Sequence, residues 1–475
     1  MESHLKPLSG IKNLQNTVET AKDYAVTHGL CIKPRTGTPD SISILPFCLA
    51  PSPFPKSVFE RLKSVQTEMN VLMHRVAHDY EFLKNCLEST IATDDFTAHL
   101  FNMYEEVYSC GFPQPLSLGL LRSDYFLDVG GASNGTKGEP VPKQIEINTI
   151  SSSFGGLTPV LQAQQKHVLS SLGFSNLLPQ MPDSNSDELL ARGILAAWKA
   201  YNNKVAAIMF VVEEITYNVY DQRFLEYAII RQSPGVKVIR RKFSELHQCS
   251  LQDGRLFVDN LEIAVVYYRT SYAPNQMTVK DWEIRLLIEK SLAIKCPSVQ
   301  YQLAGTKKVQ QVLAQPGVLE RFFTSKVTID EIRSYFTGLY SLDFTPEGNR
   351  AAAKAIEKPN GYVLKPQREG GGNNIYGEDV KTMLLALRNK KEREGFILMD
   401  LITPPVNHNY IVKPDTPVEL VDIVSEIGIF GVVLGDQDDI LENYEAGFIL
   451  RSKKVEIREG GIAAGFGALN SILLV

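Results

Sequence analysis

The sequence predicts an α/β protein, on three observations. Residues 204–212, KVAAIMFVV, form an unbroken apolar run, followed by a helical segment at 220–231 and the strands VKVIRR (236–241) and LEIAVVYYR (261–269). Continuous apolar strands alternating with helices are the pattern of a parallel sheet buried on both faces. Residues 57–88 place Val58, Leu62, Val65, Met69, Leu72 and Val76 three and four apart, the period of a helix with one buried face. The stretch YVLKPQREGGGNNIY (362–376) ends a short strand in a lysine, an Arg-Glu pair, three glycines and two amides. Such a loop can turn backbone N–H groups toward one anion, with Lys365 as a point charge and Glu369 as hard oxygen for a divalent cation. A plain surface loop is the other reading of its glycines.

At 475 residues the chain is long enough for two or three domains, and a net charge of −5 gives no reason to expect a nucleic-acid surface. The six cysteines are scattered without a CxxC pair, which argues against a disulfide framework and against zinc. The first thirty residues lack an apolar leader core, and the longest apolar run, 205–212, is far too short to span a bilayer. A cytoplasmic protein without a membrane segment is the expectation, and the sequon at Asn134 is then silent.

Taken in order, residues 11–28 and 57–88 read as scaffold helices, and His74 and His78, four apart without a third ligand, read as structural. After a helix at 95–109, SLGLLRSDYFLDV (117–129) and KQIEINTI (143–150) form a hairpin across a Gly- and Asn-rich turn. Glu146 and Asn148 stand two apart on a strand and share a face, either as two oxygen donors for Mg²⁺ or as an ordinary solvated side. SSSFGG (151–156) leads a helix at 158–172, a place suited to an anion. Arg269 and Tyr272 follow one parallel strand, and Asn218 and Gln222 follow another. Arg269 could grip a carboxylate or form a surface ion pair. Lys307 and Lys308 open a helix, where a cation gains nothing from the dipole. A helix at 379–390 and the strand FILMDLI (396–402), the wall of an adenine pocket, come next. PVELVDIVSEIGIFGVVL (417–434) reads as strand, tight Gly turn and strand, with Glu426 the odd charge. ILRSKKVEIREGGIAAGFG (449–467) sets Arg451 and Lys453 on one strand face before a second glycine-rich loop.

These residues describe an ATP- and Mg²⁺-using enzyme acting on an anionic small molecule. The stretches LRSDY, KQIEINTISSSFGG, NVYDQR, AVVYYR, QLAGTKKVQQ, VLKPQREGGGNN, SEIGIFG, LRSKK and GGIAAG closely resemble the eukaryotic glutathione synthetase family of ATP-grasp ligases, across nearly the whole chain. The resemblance implies an α+β ATP-grasp core with glycine-rich lid loops and an inserted parallel-sheet substrate domain. The divisions are 1–203, 204–302 and 303–475, with a lid at about 365–400 and a Gly/Ala loop at about 456–467.

It also implies Mg²⁺, as two ions with ATP, on Glu146, Asn148 and Glu369. ATP would meet Lys307, Lys365, Gln367, Gly370, Gly371, Gly372, Asn373, Asn374, Tyr376, Met399, Asp400, Leu401, Ile402, Glu426, Lys453 and Glu459. γ-Glutamylcysteine and glycine would meet Arg122, Ile150, Ser151, Ser152, Ser153, Thr216, Tyr217, Asn218, Gln222, Arg269, Thr270, Ser271, Tyr272, Ile462 and Ala463. Arg451, Lys365 and Gly371 would serve the chemistry. Thr216, Tyr217 and Glu459 depart from the family's usual residues. A homodimer is implied by the resemblance alone. The alternatives are a non-catalytic ATP-binding regulator, or a ligase for another small amine such as β-alanine.

Overall fold

The computed structural model describes residues 11, 13–34, 40–130, 140–458, 461–462 and 465–475. The turn at 131–139 with its sequon, and Glu459 and Ala463, lie outside them. A thirteen-stranded mixed sheet carries helices on both faces. Its centre is the antiparallel set Val141–Asn148, Ser117–Asp128, Leu420–Gly435 and Ile440–Lys454. Strand side chains alternate between faces, and the core follows that alternation. Leu121, Tyr125, Ile427, Ile429 and Val433 pack against Val65, Met69 and Leu72 of the Lys56–Ala77 helix. Leu118, Leu120, Phe430, Val432 and Leu434 pack on the other face, against the Thr158–Ser171 and Ser186–Tyr201 helices.

The parallel strands expected at 204–269 are present. Ala207–Val212 runs parallel to Val238–Lys242 and to Leu261–Tyr268. They are hydrogen-bonded into the same sheet as the centre, because Ile294–Cys296 pairs in parallel with Leu261–Tyr268 on one side and with Ser117 on the other. A separate antiparallel four-stranded sheet, Leu339–Ser341, Phe396–Asp400, Tyr362–Pro366 and Ile375–Tyr376, carries the glycine loop. The Pro346–Glu357 and Glu378–Ala386 helices close its core around Leu364 and Leu398.

Two expectations are corrected. Residues 57–88 form two helices, Lys56–Ala77 and Tyr80–Ile91, because the Asp79 side chain accepts the Phe82 N–H (3.0 Å) and starts a new helix. SEIGIFG is no turn: Leu420–Gly435 is one continuous sixteen-residue strand. Its glycines serve close approach. A Cβ on Gly431 would collide with Asn70 Oδ1 and lie 2.6 Å from Gln66 Nε2 of the helix beneath, and one on Gly428 would lie 2.5 Å from Asp124 Oδ1. Gly431→Ala is therefore expected to lower stability by about 1–3 kcal/mol through overpacking, measured as a fall in the urea midpoint; an unchanged midpoint would mean the helix yields freely.

His74 is structural, as expected: its Nδ1 meets the Tyr301 hydroxyl and its Nε2 the Asp436 carbonyl. Among the described residues, no helix is long and apolar enough to cross a membrane, and the six cysteines are unpaired.

Candidate active site

The central strands set the site by register. Residues directly opposite on antiparallel strands share a face. Asp124 stands opposite both Glu146 and Gly428, Arg122 opposite Asn148, and Glu426 opposite Arg451. One patch of sheet thus collects two arginines, three carboxylates and an amide. A bulge falls within it, since Tyr125 pairs with Gln144 while Asp124 pairs with Glu146. Ile145 is the extra residue, and its carbonyl accepts the Lys365 ammonium at 2.9 Å. The bulge therefore anchors the strand of the glycine loop to the strand of the metal candidates.

The three predicted metal-binding residues come together. Lys307 Nζ lies 3.0 Å from Glu146 Oε2 and 2.9 Å from Glu369 Oε1, so both carboxylates converge on one cation. Asn148 Nδ2 donates to Asp124 Oδ2 at 2.8 Å, one register step from Glu146. Among the described residues no three His, Cys, Asp or Glu side chains group as a metal site. Two carboxylates and an amide oxygen are instead the sparse, hard-oxygen set suited to Mg²⁺ carried in with phosphates.

Electrostatics follow from crowding. Burial raises the Glu146 pKa, but Lys307, Lys365 and Arg451 outweigh it and hold the group well below the usual carboxylate range. For Glu369 burial wins, helped by Glu146, and its pKa is raised despite Lys307. Lys307 is itself raised, the two carboxylates overcoming its burial. Lys365, 3% exposed, is lowered to about 8 by burial and by Lys307, against the pull of Glu146.

Asp124 is fully buried; its Oδ1 accepts Arg122 Nε (2.7 Å), and its Oδ2 accepts Arg122 Nη2 (2.9 Å) and Arg451 Nη2 (2.7 Å). Arg451 also pairs with Glu426. Asp124 was not singled out from the sequence. The available signal was a carboxylate two residues from Arg122 in an otherwise apolar strand.

From here the polar chain runs into the predicted substrate region. Arg122 Nη1 donates to the Ser153 carbonyl (3.2 Å), and Arg269 donates to the Ser152 carbonyl (2.9 Å) and the Ser153 hydroxyl (2.8 Å). Arg269, 4% exposed, is no surface ion pair; it meets Asp221, a residue missed from sequence, at 3.3 Å. Asp221 in turn accepts the Gly156 N–H and locks the turn. The turn is strained as well, with φ of +52° at Ser151 and +73° at Phe154. Its hydroxyls are engaged internally, Ser151 to the Tyr268 carbonyl and Ser152 to the Leu120 and Asn148 carbonyls. Arg269 Nε and Arg451 Nε are buried and unpartnered among the described residues. A buried N–H without a partner is costly, and a bound carboxylate would satisfy it.

Asn218 donates to Ser153 Oγ and accepts from Gln222. Tyr272 hydrogen-bonds Glu213 (2.6 Å), and its ring lies 3.4 Å from where a Cβ on Gly370 would stand, so the glycine loop rests on the predicted substrate wall. Thr216 Oγ1 reaches the Glu213 carbonyl, and the Tyr217 carbonyl accepts from Lys33 N. Ile150, Thr270 and Ser271 are buried beside this wall.

On the predicted nucleotide side, Lys365 stands opposite Ile397 and Val363 opposite Met399, one face of the small sheet. Ile402 packs with Ile397 and Met399, Asp400 meets the Tyr340 hydroxyl, and Leu401 is exposed. Gln367 Oε1 holds Lys308 N, Asn374 reaches Tyr376, and Asn373 folds back on the Glu369 carbonyl. Lys453 donates to the Arg458 carbonyl, and Ile462 is buried nearby in the main core.

A glycine loop on its own small antiparallel sheet lies against oxygen donors and arginines on a large one, and the comparisons give the class of this arrangement: an ATP-dependent ligase. A model of the eukaryotic glutathione synthase ATP-binding domain matches residues 11–474, and the chain belongs to the eukaryotic glutathione synthetase family. It is 40% identical to the glutathione synthetase of Macaca fascicularis, over 98% of each chain, and 40% identical to that of Bos taurus over 97% of each. Among solved structures, a glutathione synthetase-like effector from Globodera pallida, in its apo form, matches over 98% of each chain with a TM-score of 0.78 and 25% identity.

Proposed function

We propose that this chain joins γ-glutamylcysteine to glycine at the expense of ATP, giving glutathione, ADP and phosphate. The observation that carries the reading is the convergence of Glu146 and Glu369 on Lys307, one register step from Asn148, with Arg451 reaching Asp124 opposite Glu146. Lys307, Lys365 and the loop amides are assigned to the polyphosphate. Arg269 and the 151–153 turn are assigned to the carboxylates of γ-glutamylcysteine. Arg451, with its free Nε, is assigned to the reacting carboxylate.

A carboxylate is a poor electrophile, so its oxygen first takes the γ-phosphoryl group of ATP and becomes an acyl phosphate. The amine of glycine then displaces phosphate through a tetrahedral intermediate, whose oxyanion Arg451 stabilises. Mg²⁺ held by Glu146, Asn148 and Glu369 would supply positive charge to the phosphoryl oxygens. Because acyl phosphates hydrolyse, the loop at 370–372 excludes water.

The test is ADP release by the purified protein with γ-glutamylcysteine, with and without glycine. Release that needs both supports the ligase; ATP binding without release in either case would favour a regulator, and preference for β-alanine would move the acceptor. Family membership supports a homodimer in the same proposal, with 1–203, 204–302 and 303–475 as its working divisions. Unpaired cysteines support a cytoplasmic setting.

Lys365 gives a pH prediction. Polyphosphate beside it favours its charged form, so its pKa, about 8 without ligand, rises on binding. Binding of a non-hydrolysable ATP analogue at about pH 8 is then expected to draw a fraction of a proton from the buffer. Well below that pH, where Lys365 is already protonated, it is expected to draw little. Calorimetry in buffers of different ionisation enthalpy reads this, and a Lys365→Arg protein that takes up as much would refute the assignment.

A further inference from the structure

We infer that Asp124 is a positioning residue that fixes which end of the Asn148 amide faces the metal. The inference rests on the proposed metal site. An amide can present either an acceptor oxygen or an NH₂ donor, and only the oxygen binds a cation. Asp124 is fully buried between two arginines, and both of its oxygens accept from them, so what it presents to Asn148 is an acceptor. The Asn148 NH₂ must therefore turn to Asp124, and the contact is made at 2.8 Å. Asn148 Oδ1 is left for the cation. The same carboxylate holds Arg122 and Arg451, so one side chain sets the metal-facing oxygen and the spacing of two guanidiniums.

The decisive substitution is Asp124→Ala, which removes both acceptor oxygens; Asn148, Arg451 and Arg122 Nη2 share Oδ2, so an asparagine there would keep its oxygen toward all three. Among the described residues the Arg122 carbonyl, 3.4 Å away, is then left to orient the Asn148 NH₂, and the amide can turn that NH₂ toward the cation. Adding Asn148→Asp reverses the loss, because a carboxylate presents oxygen whichever way it turns. Mn²⁺ binding is to be followed by electron paramagnetic resonance, with a non-hydrolysable ATP analogue present and no turnover. Asp124→Ala is expected to weaken Mn²⁺ about 10- to 100-fold, the range for groups that orient metal ligands, and the double variant to recover most of it.

An Asp124→Ala protein that binds Mn²⁺ like wild type, or a double variant no better than the single, would overturn the inference while leaving the metal site standing. Wild-type protein that binds no Mn²⁺ beyond the nucleotide's own would overturn both. Should Asp124→Ala not fold, Gly428→Ala reads the same contact: its Cβ would stand 2.5 Å from Asp124 Oδ1 and displace the carboxylate. Weakened Mn²⁺ supports the inference, and unchanged Mn²⁺ counts against it.

Discussion

Arg451→Ala is expected to cut kcat by about 10²- to 10³-fold, the usual cost of removing one donor to a developing oxyanion, with KM for ATP little changed. The same substitution is expected to lower stability by about 3 kcal/mol, because it strips a partner from buried carboxylates. Arg451 is the cation between Asp124 and Glu426, and without it those two carboxylates face each other. Burial already raises the Glu426 pKa, helped by Asp124 and Glu146, with Arg451 opposing. In the variant that restraint is gone. A carboxyl whose folded pKa lies above its unfolded value stabilises at low pH and loses that contribution as pH rises through the folded pKa. The gap in stability between wild type and Arg451→Ala should therefore be widest at neutral pH and narrow on acidification. Urea melts across pH read it. A gap independent of pH would show that the carboxylates are not what Arg451 restrains. Arg451→Lys should restore much of the stability but little of the rate, since one ammonium cannot hold Asp124 and Glu426 and also keep a planar donor free.

Gly371→Val should reduce turnover about a hundredfold while moving the thermal midpoint by only a few degrees. Gly370, Gly371 and Gly372 take φ of +92°, +55° and +88°, and all three are exposed. A β-branched residue in that region costs about 1–3 kcal/mol locally, and in an exposed loop the loop changes shape before the fold is lost. Altered closure also has a product signature. If water reaches the acyl phosphate, ADP is released in excess of peptide bond formed. Measuring both products separates a leaky lid from slow chemistry, and an unchanged kcat would remove the lid argument altogether.

The chemistry of the site was more legible than its geometry. KQIEINTI announced Glu146 and Asn148 on one face by simple alternation, and KPQREGGGNN announced its loop by composition. Nothing local says that Lys307, about 160 residues beyond Glu146, lies between it and Glu369; that follows only from how the two sheets meet. SEIGIFG misled because a glycine needed for close approach and a glycine needed for a turn look the same in one dimension. Ile294–Cys296 was passed over for the opposite reason. Three residues are too few to show a period, yet through them the 204–269 strands join the main sheet.

That short joint has a mechanical consequence. Through Ile294–Cys296 the arginine-held serine turn and the Glu146 strand belong to one hydrogen-bonded slab, while the glycine loop rides on a different one. A swing of the smaller slab is therefore expected to carry Glu369 away from Glu146 and Asn148, while the arginine-held serine turn keeps its place. The floor then keeps its arginines in register alone, and the two carboxylates meet only when the roof is down.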